Sequence, residues 1–203
     1  MRRSDFDCKD LGLIQEFLNK IEFGTLVIPD SIPYAVPLSF CYEDSKIYLH
    51  GAKAGRKYAL LKQNPKVAFS AALPYAYIPS HFLKGTMIPT QFFFSVFLEG
   101  QFCVVEDLEE KKQILTRLVQ KYEPNNLQIN MESGQFVGKE RGTFVGKICI
   151  ESLSAKAKFG QNLKAEDFAQ IIQDLRNRWE VRDSETIALM QKFAVKQETG
   201  SKQ

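Results

Sequence analysis

The residue types best suited to chemistry fall in one short stretch, 47–70 (IYLHGAKAGRKYALLKQNPKVAFS). One of the chain's two histidines, His50, is followed by a run of small residues, Gly51-Ala52-Lys53-Ala54-Gly55, and then by two cations, Arg56 and Lys57. Glycine lets a backbone approach a ligand closely and adopt positive φ. Free N–H groups at a helix start attract anions, and Arg or Lys placed there adds full charge. The spacing predicts a strand, a tight turn, a basic helix start and a second strand. That arrangement is suited to cradling a phosphate. A surface turn with solvated charges is the competing reading. The stretch matches neither GxxxxGK[ST] nor GxGxxG, which argues against FAD and NAD as ligands.

His50 has an ordinary pKa near 6.5 and is suited to proton donation, or else to a structural bond with a carbonyl. His81 sits in a proline-rich segment and reads as an exposed loop histidine, with haem ligation as the sharper alternative. Two lone histidines with no cysteine or carboxylate at ligand spacing do not make a zinc site, so no metal is expected. The absence of GxSxG argues against a Ser-His-Asp hydrolase. Lys147, Lys156 and Lys158 read as a solvated strand face, or as added positive potential near a ligand.

The elements that must position these residues follow from periodicity. Residues 10–21 carry Leu11, Ile14, Phe17, Leu18 and Ile21 on one helical face, with Asp10 as cap. Strands are predicted over 23–28 and 34–41, the second with Pro37 inside it, which implies an edge, a bulge or a ligand there. Glu43-Asp44-Ser45 is a hairpin turn into the histidine stretch. After a strand over 67–72, the segment 73–89 reads as a long loop whose aromatics pack on something; long ordered loops are often functional. A long strand follows over 91–105. Residues 108–122 form a second amphipathic helix capped by Asp107. The segment 126–138 is ambiguous. A last strand spans 142–152. Helical stripes lie over 165–179, where Trp179 is expected to anchor the helix by packing, and over 184–195. About six strands, mostly hairpin-linked, suggest a small closed antiparallel barrel, since closure removes sheet edges.

Composition agrees. At 203 residues, 44% hydrophobic and 25% charged, the chain is ordinary globular material, and its 16 phenylalanines supply apolar area for a core. A net charge of +3 indicates neither nucleic acid nor a membrane surface as partner, and is compatible with a small anionic ligand. Cys8, Cys41, Cys103 and Cys149 are far apart and form no CxxC. With no secretory start, they are expected to be free thiols in a reducing cytoplasm.

The residues YAVPLSFCYEDSKIYLHGAKAGRKYALLKQNPKVAFS resemble the FMN-binding split-barrel proteins related to pyridoxamine 5'-phosphate oxidase, and within them the nitroimidazole-resistance subgroup. MRRSDF, the EG of the long strand, EEKKQILTRLVQKYEP and TFVGKICIESLSAK fit the same pattern. The resemblance covers roughly residues 1–159. It implies an α+β fold, an antiparallel split β-barrel over 1–160 with a C-terminal helical extension over 161–203. It also implies a homodimer with FMN at the subunit interface. In that reading Pro37, Leu38 and Ser39 line the isoalloxazine, His50 lies close to the flavin on the substrate side, and Lys53, Arg56 and Lys57 hold the phosphate. Gly51 stands where many members have Ser. The arginine-rich substrate site of pyridoxamine phosphate oxidases proper has no counterpart, which argues against vitamin B6 oxidation. The expected function is FMN-dependent reduction of a small molecule such as a nitroaromatic, with His50 as the catalytic residue. A haem-degrading protein and a non-catalytic flavin-binding module are the alternatives.

Overall fold

The structure, a computed structural model, describes residues 4–123, 125, 134 and 138–200. Helix α1 (Leu11–Lys20) begins where the Asp10 carboxylate accepts the Leu13 N–H at 3.0 Å. Strands β1 (Phe23–Ile28) and β2 (Tyr34–Ser39) pair antiparallel, Phe23 opposite Ser39 and Ile28 opposite Tyr34. Strand β3 (Cys41–Glu43) pairs with β4 (Lys46–Ala52) through the two-residue turn Asp44-Ser45. Both turn residues have positive φ, 50° and 57°, which matches the twist of the strands they join. Helix α2 (Gly55–Leu61) leads to β5 (Lys66–Ile78), the single turn α3 (Phe82–Gly85) and β6 (Thr90–Val104). Helix α4 (Leu108–Tyr122) starts on the Asp107 cap and is followed by the short α5 (Lys139–Gly142), β7 (Thr143–Lys158), α6 (Ala165–Arg178) and α7 (Asp183–Gly200).

Three expectations are corrected. The strand expected over 34–41 is two strands: Phe40 is fully buried and its carbonyl accepts from Lys121 and Tyr122, which interrupts the run and makes seven strands among the described residues. The segment 73–78 is not loop but the second half of β5. Within it Tyr75 and Ile78 are buried and the Ala76 N–H donates to the Thr186 hydroxyl at 3.1 Å. Strand β7 runs past Ser152 to Lys158, with Ala155 and Ala157 buried. The ambiguous segment 126–138 lies outside the described residues except at 134 and 138.

The chain forms two compact units, and the long strands contribute to both. One unit comprises Asp10–Ala71 and Val96–Ser154. The strand order is β2-β1-β5-β6-β7-β4-β3. Strands β2 and β3 stand at opposite ends of that order, yet only Phe40 separates them in the chain. The sheet must therefore curl until its edges meet, and the result is an antiparallel split barrel of α+β class. Its interior is aromatic. Phe40 meets Phe69 edge-on at 4.9 Å, and Gly146 lets the Phe102 ring lie against the strand backbone, where a Cβ would come within 2.1 Å of it. Pro37 sits on the edge strand β2, opposite Thr25. Helix α4 buries Ile114, Leu115 and Leu118 with Cys41, Tyr48, Val105 and Val145.

The other unit comprises Met1–Lys9, Ala72–Ser95 and Ala155–Gln203, so by packing the tail groups with strand ends rather than forming a unit that starts at 161. Phe159 stacks on Phe193 at 5.4 Å and meets Tyr75 edge-on at 5.1 Å. The helical stripes Ile171, Ile172 and Leu175 of α6 and Ile187, Leu189, Met190 and Phe193 of α7 are buried as expected. Trp179 is not: it is 74% exposed and takes a left-handed conformation (φ 56°) that ends α6. The tie at this corner is instead Arg178, which donates to Asp183 at 2.9 and 2.5 Å and to the Tyr77 carbonyl at 2.7 Å.

Candidate functional site

Strand β4 presents the histidine. It pairs with β7, His50 opposite Val145, Gly51 opposite Phe144 and Ala52 opposite Thr143. The chain then turns through Lys53 and Ala54, and Gly55 (φ 81°) opens α2. Leu61 is buried and the Tyr58 ring meets Phe144 edge-on at 5.3 Å, so α2 is pinned by its apolar residues.

The three cations expected at a phosphate have different fates. Arg56 donates from Nε and Nη2 to Asp30 at 3.1 and 2.7 Å and from Nη2 to the Ile32 carbonyl at 3.2 Å, with its guanidinium 4.6 Å over the Tyr34 ring. The hydrogen bond from Arg56, and then that from the Ser31 N–H, hold the Asp30 carboxyl below the usual carboxylate range. Lys53 donates to the Arg141 carbonyl at 2.7 Å. Lys57 is half-buried and has no hydrogen bond or ion pair among the described residues. Its ammonium lies across Gly51, where a Cβ would stand 2.8 Å from Nζ, and burial lowers its pKa. Gly51 thus does more than omit a serine hydroxyl: it leaves the space that Lys57 occupies.

His50 is open to solvent on one side and packed on the other. Burial, and secondarily the charge of Lys57, hold its pKa below 6.5. The imidazole is therefore neutral at pH 7 and has one nitrogen to accept and one to donate. It lines a cavity of about 360 Å³ together with Ser39 and Thr143. Leu115, Leu118 and Val119 of α4 line it with apolar side chains, and Tyr122, Glu123 and Lys139 complete it. An apolar surface with a few polar groups is the usual make-up of a small-molecule site.

The structure thus brings His50 and Ser39 to one cavity, sets Gly51 and Lys57 next to His50, and turns Arg56 toward Asp30. Pro37 is exposed on β2, and Leu38 is buried with 7% of its surface exposed. His81 is exposed, its ring edge-on to Phe82 at 5.3 Å. Sequence reasoning did not single out Lys139, Thr143 or Asp30. The α4 residues were legible as an apolar stripe; that part of the stripe lines a cavity was not.

Residues 12–157 match the family model described as pyridoxamine 5'-phosphate oxidase, and the chain belongs to that family. A curated relative, the protease synthase and sporulation protein PAI 2 of Bacillus subtilis (strain 168), is 26% identical over 192 residues, covering 91% of this chain and 93% of its own length. The fold is also that of an FAD and haem binding protein from Mycobacterium smegmatis (TM-score 0.67, 18% identity, 80% of this chain and 78% of the other). It is likewise similar to a candidate 5-nitroimidazole antibiotic resistance protein from Bacteroides thetaiotaomicron VPI-5482 (TM-score 0.61, 22% identity, 74% and 85%). At these identities the structural likenesses are ones of fold. Among the described residues, no helix is long and apolar enough to cross a membrane.

Proposed function

We propose that this chain binds FMN and, as a homodimer, uses it to reduce a small molecule of the nitroaromatic kind. The observation that carries the proposal is Lys57, a half-buried ammonium without an acceptor, lying across Gly51 beside a neutral histidine. A buried charge without a partner is costly, and a ligand phosphate would supply one. The donor set fits a phosphate: Lys57 first, then Lys53, with Arg56 contributing the donors that Asp30 leaves over. When bound, the flavin supplies two-electron chemistry. The chain's own residues do the rest. The face of α4 formed by Leu115, Leu118 and Val119 excludes water from the cavity. Neutral His50 orients a substrate by one hydrogen bond and can relay a proton. Lys139 at the cavity adds positive potential.

The family membership and the flavin named for the Mycobacterium smegmatis protein support this reading. The haem named for the same protein makes haem the second reading, with His50 or His81 as the axial ligand. The deciding experiment is the absorption spectrum of purified protein after FMN addition and desalting, and again after haem addition. Retained flavin bands in wild type, weakened by Lys57→Met far more than by Arg56→Gln, are expected. Protein that retains no flavin overturns the proposal, and a sharp haem band in its place selects the second reading. Flavin retained with no acceptor reduced faster than by free FMN selects a non-catalytic flavin-binding module.

A further inference from the structure

A guanidinium has five N–H donors, and Asp30 governs how many of those on Arg56 a ligand can use. Nε and one Nη2 hydrogen go to Asp30 Oδ2, at 3.1 and 2.7 Å, and the other Nη2 hydrogen goes to the Ile32 carbonyl at 3.2 Å. Among the described residues, that leaves the two hydrogens of Nη1. They diverge from a single nitrogen. The two-nitrogen fork by which arginine grips a phosphate therefore cannot form while Asp30 holds it. Asp30 is itself oriented by the turn: its Oδ1 accepts the Ser31 N–H at 2.7 Å, and Oδ2 is the oxygen that meets Arg56. The Tyr34 ring, its centre 4.6 Å from the guanidinium carbon, backs the pair.

A carboxylate and a phosphate are both anions that this fork fits. Asp30 thus stands toward Arg56 as a ligand phosphate would. The pair lies in solvent, with the Arg56 and Asp30 side chains 52% and 28% exposed, and an exposed ion pair is weak. A phosphate dianion can displace a partner of that strength. The displacement still lowers the apparent affinity by the fraction of chains in which the fork is engaged elsewhere. Lys57, the next residue of α2, faces no such rival.

We propose that Asp30 is an internal competitor of the flavin phosphate for the Arg56 fork, and that it thereby limits how tightly the chain holds FMN. The proposal rests on the flavin reading above. The test is fluorescence titration of FMN, and of riboflavin, which lacks the phosphate, into full-length wild type, Asp30→Asn, Arg56→Gln and the double variant. In Asp30→Asn the remaining Oδ1 can still accept the Ser31 N–H, while a donor, Nδ2, replaces the oxygen that Arg56 uses. Asp30→Asn is expected to bind FMN roughly three- to fivefold more tightly than wild type, the range an exposed ion pair allows, with riboflavin unchanged. In the Arg56→Gln background the same substitution should change neither. If Asp30→Asn does not fold, Asp30→Ser, whose hydroxyl can also accept the Ser31 N–H, takes its place. FMN bound with equal affinity by wild type and Asp30→Asn overturns this proposal alone. An equal gain for riboflavin would mean that Asp30 acts on the turn and not on the phosphate; an equal gain without Arg56 would mean that it acts through space; either overturns the proposal. If none of the four proteins binds FMN, the flavin reading falls and this proposal with it.

Discussion

Lys121 is where position and charge can be tested together. Its ammonium donates to three carbonyls, Leu18 at 3.2 Å, Ile21 at 2.7 Å and Phe40 at 2.8 Å, and stands 3.9 Å from the centre of the Phe40 ring. The first two carbonyls close the C-terminus of α1; the third belongs to the one-residue link between β2 and β3. The same helix carries Leu115, Leu118 and Val119, so the tie also holds the apolar wall of the candidate cavity. Burial lowers the Lys121 pKa from 10.5 to about 8, with Cys41 and Glu22 pulling the other way. In full, that fall corresponds to ~3.4 kcal/mol. Solvent reaching the ammonium reduces it to ~1–2 kcal/mol. The folded chain holds this proton less tightly than the unfolded chain, so stability rises with pH between 8 and 10.5. Cys41 acts oppositely. Burial raises its thiol from 9.0 to about 11, so above pH 9 the unfolded chain gives up that proton first and stability falls. The interval from about pH 7.5 to 9 therefore separates Lys121 from Cys41, with Lys57 adding to the lysine's effect. Urea unfolding of wild type should show a gain of ~0.5–1 kcal/mol across it, at constant slope. Lys121→Met should rise less there, because only the smaller contribution of Lys57, also lowered by burial, remains. It should also be less stable by ~1–3 kcal/mol at pH 7.5, because three carbonyls lose their donor. An equal rise in wild type and Lys121→Met would refute the reasoning, and so would a variant as stable as wild type.

Three further outcomes are expected. In an NMR titration of the two histidines, one imidazole should titrate below 6.5, and Lys57→Met should move it upward, because a neighbouring positive charge is removed; an unmoved value would mean that Lys57 does not lie beside His50. Arg178→Met should destabilise the fold by ~3–5 kcal/mol in urea, because Asp183, 1% exposed, would be left as a buried unpaired carboxylate. A loss under ~1 kcal/mol would show that the pair is solvated. Trp179→Gly should raise the unfolding free energy by ~1 kcal/mol by relieving a left-handed residue whose ring is mostly in water; a clear loss would restore the tryptophan as a packing anchor.

Much of the scaffold was legible because local chemistry decides it. Asp10 and Asp107 cap helices in the structure as their positions in sequence require, and α4 forms over the expected residues, burying Leu115 and Leu118 together with Ile114 while leaving Leu108 and Tyr122 exposed. What failed was decided at a distance. The segment 73–78 was read as loop, yet it continues β5, and Thr186, 110 residues on from Ala76, supplies an acceptor for the Ala76 N–H. Phe40 was read inside the strand expected over 34–41, and it is the place where two strands part, because Lys121 takes its carbonyl. Trp179 looked buried by type, yet no alternation or stripe required it.

The candidate site shows the same division more sharply. Sequence places Arg56 and Lys57 side by side as equivalent cations. They are not equivalent in the fold, since Asp30, 26 residues earlier, takes two donors of Arg56 while Lys57 is left over Gly51. Residue type and spacing reveal where charge accumulates. Which charge remains available is set by partners that tertiary structure brings in. The arginine, with its planar fork, is the stronger phosphate ligand in principle. Here that same fork is what fits it to clamp the β1–β2 turn, through Asp30 and the Ile32 carbonyl with Tyr34 beneath. The weaker ligand by type is then the one free to act, and its free ammonium also lowers the pKa of the histidine that faces the cavity. A ligand phosphate arriving at Lys57 would offset that charge and let the His50 pKa rise, so that in the proposed function cofactor binding and the proton state of His50 would be coupled through one side chain.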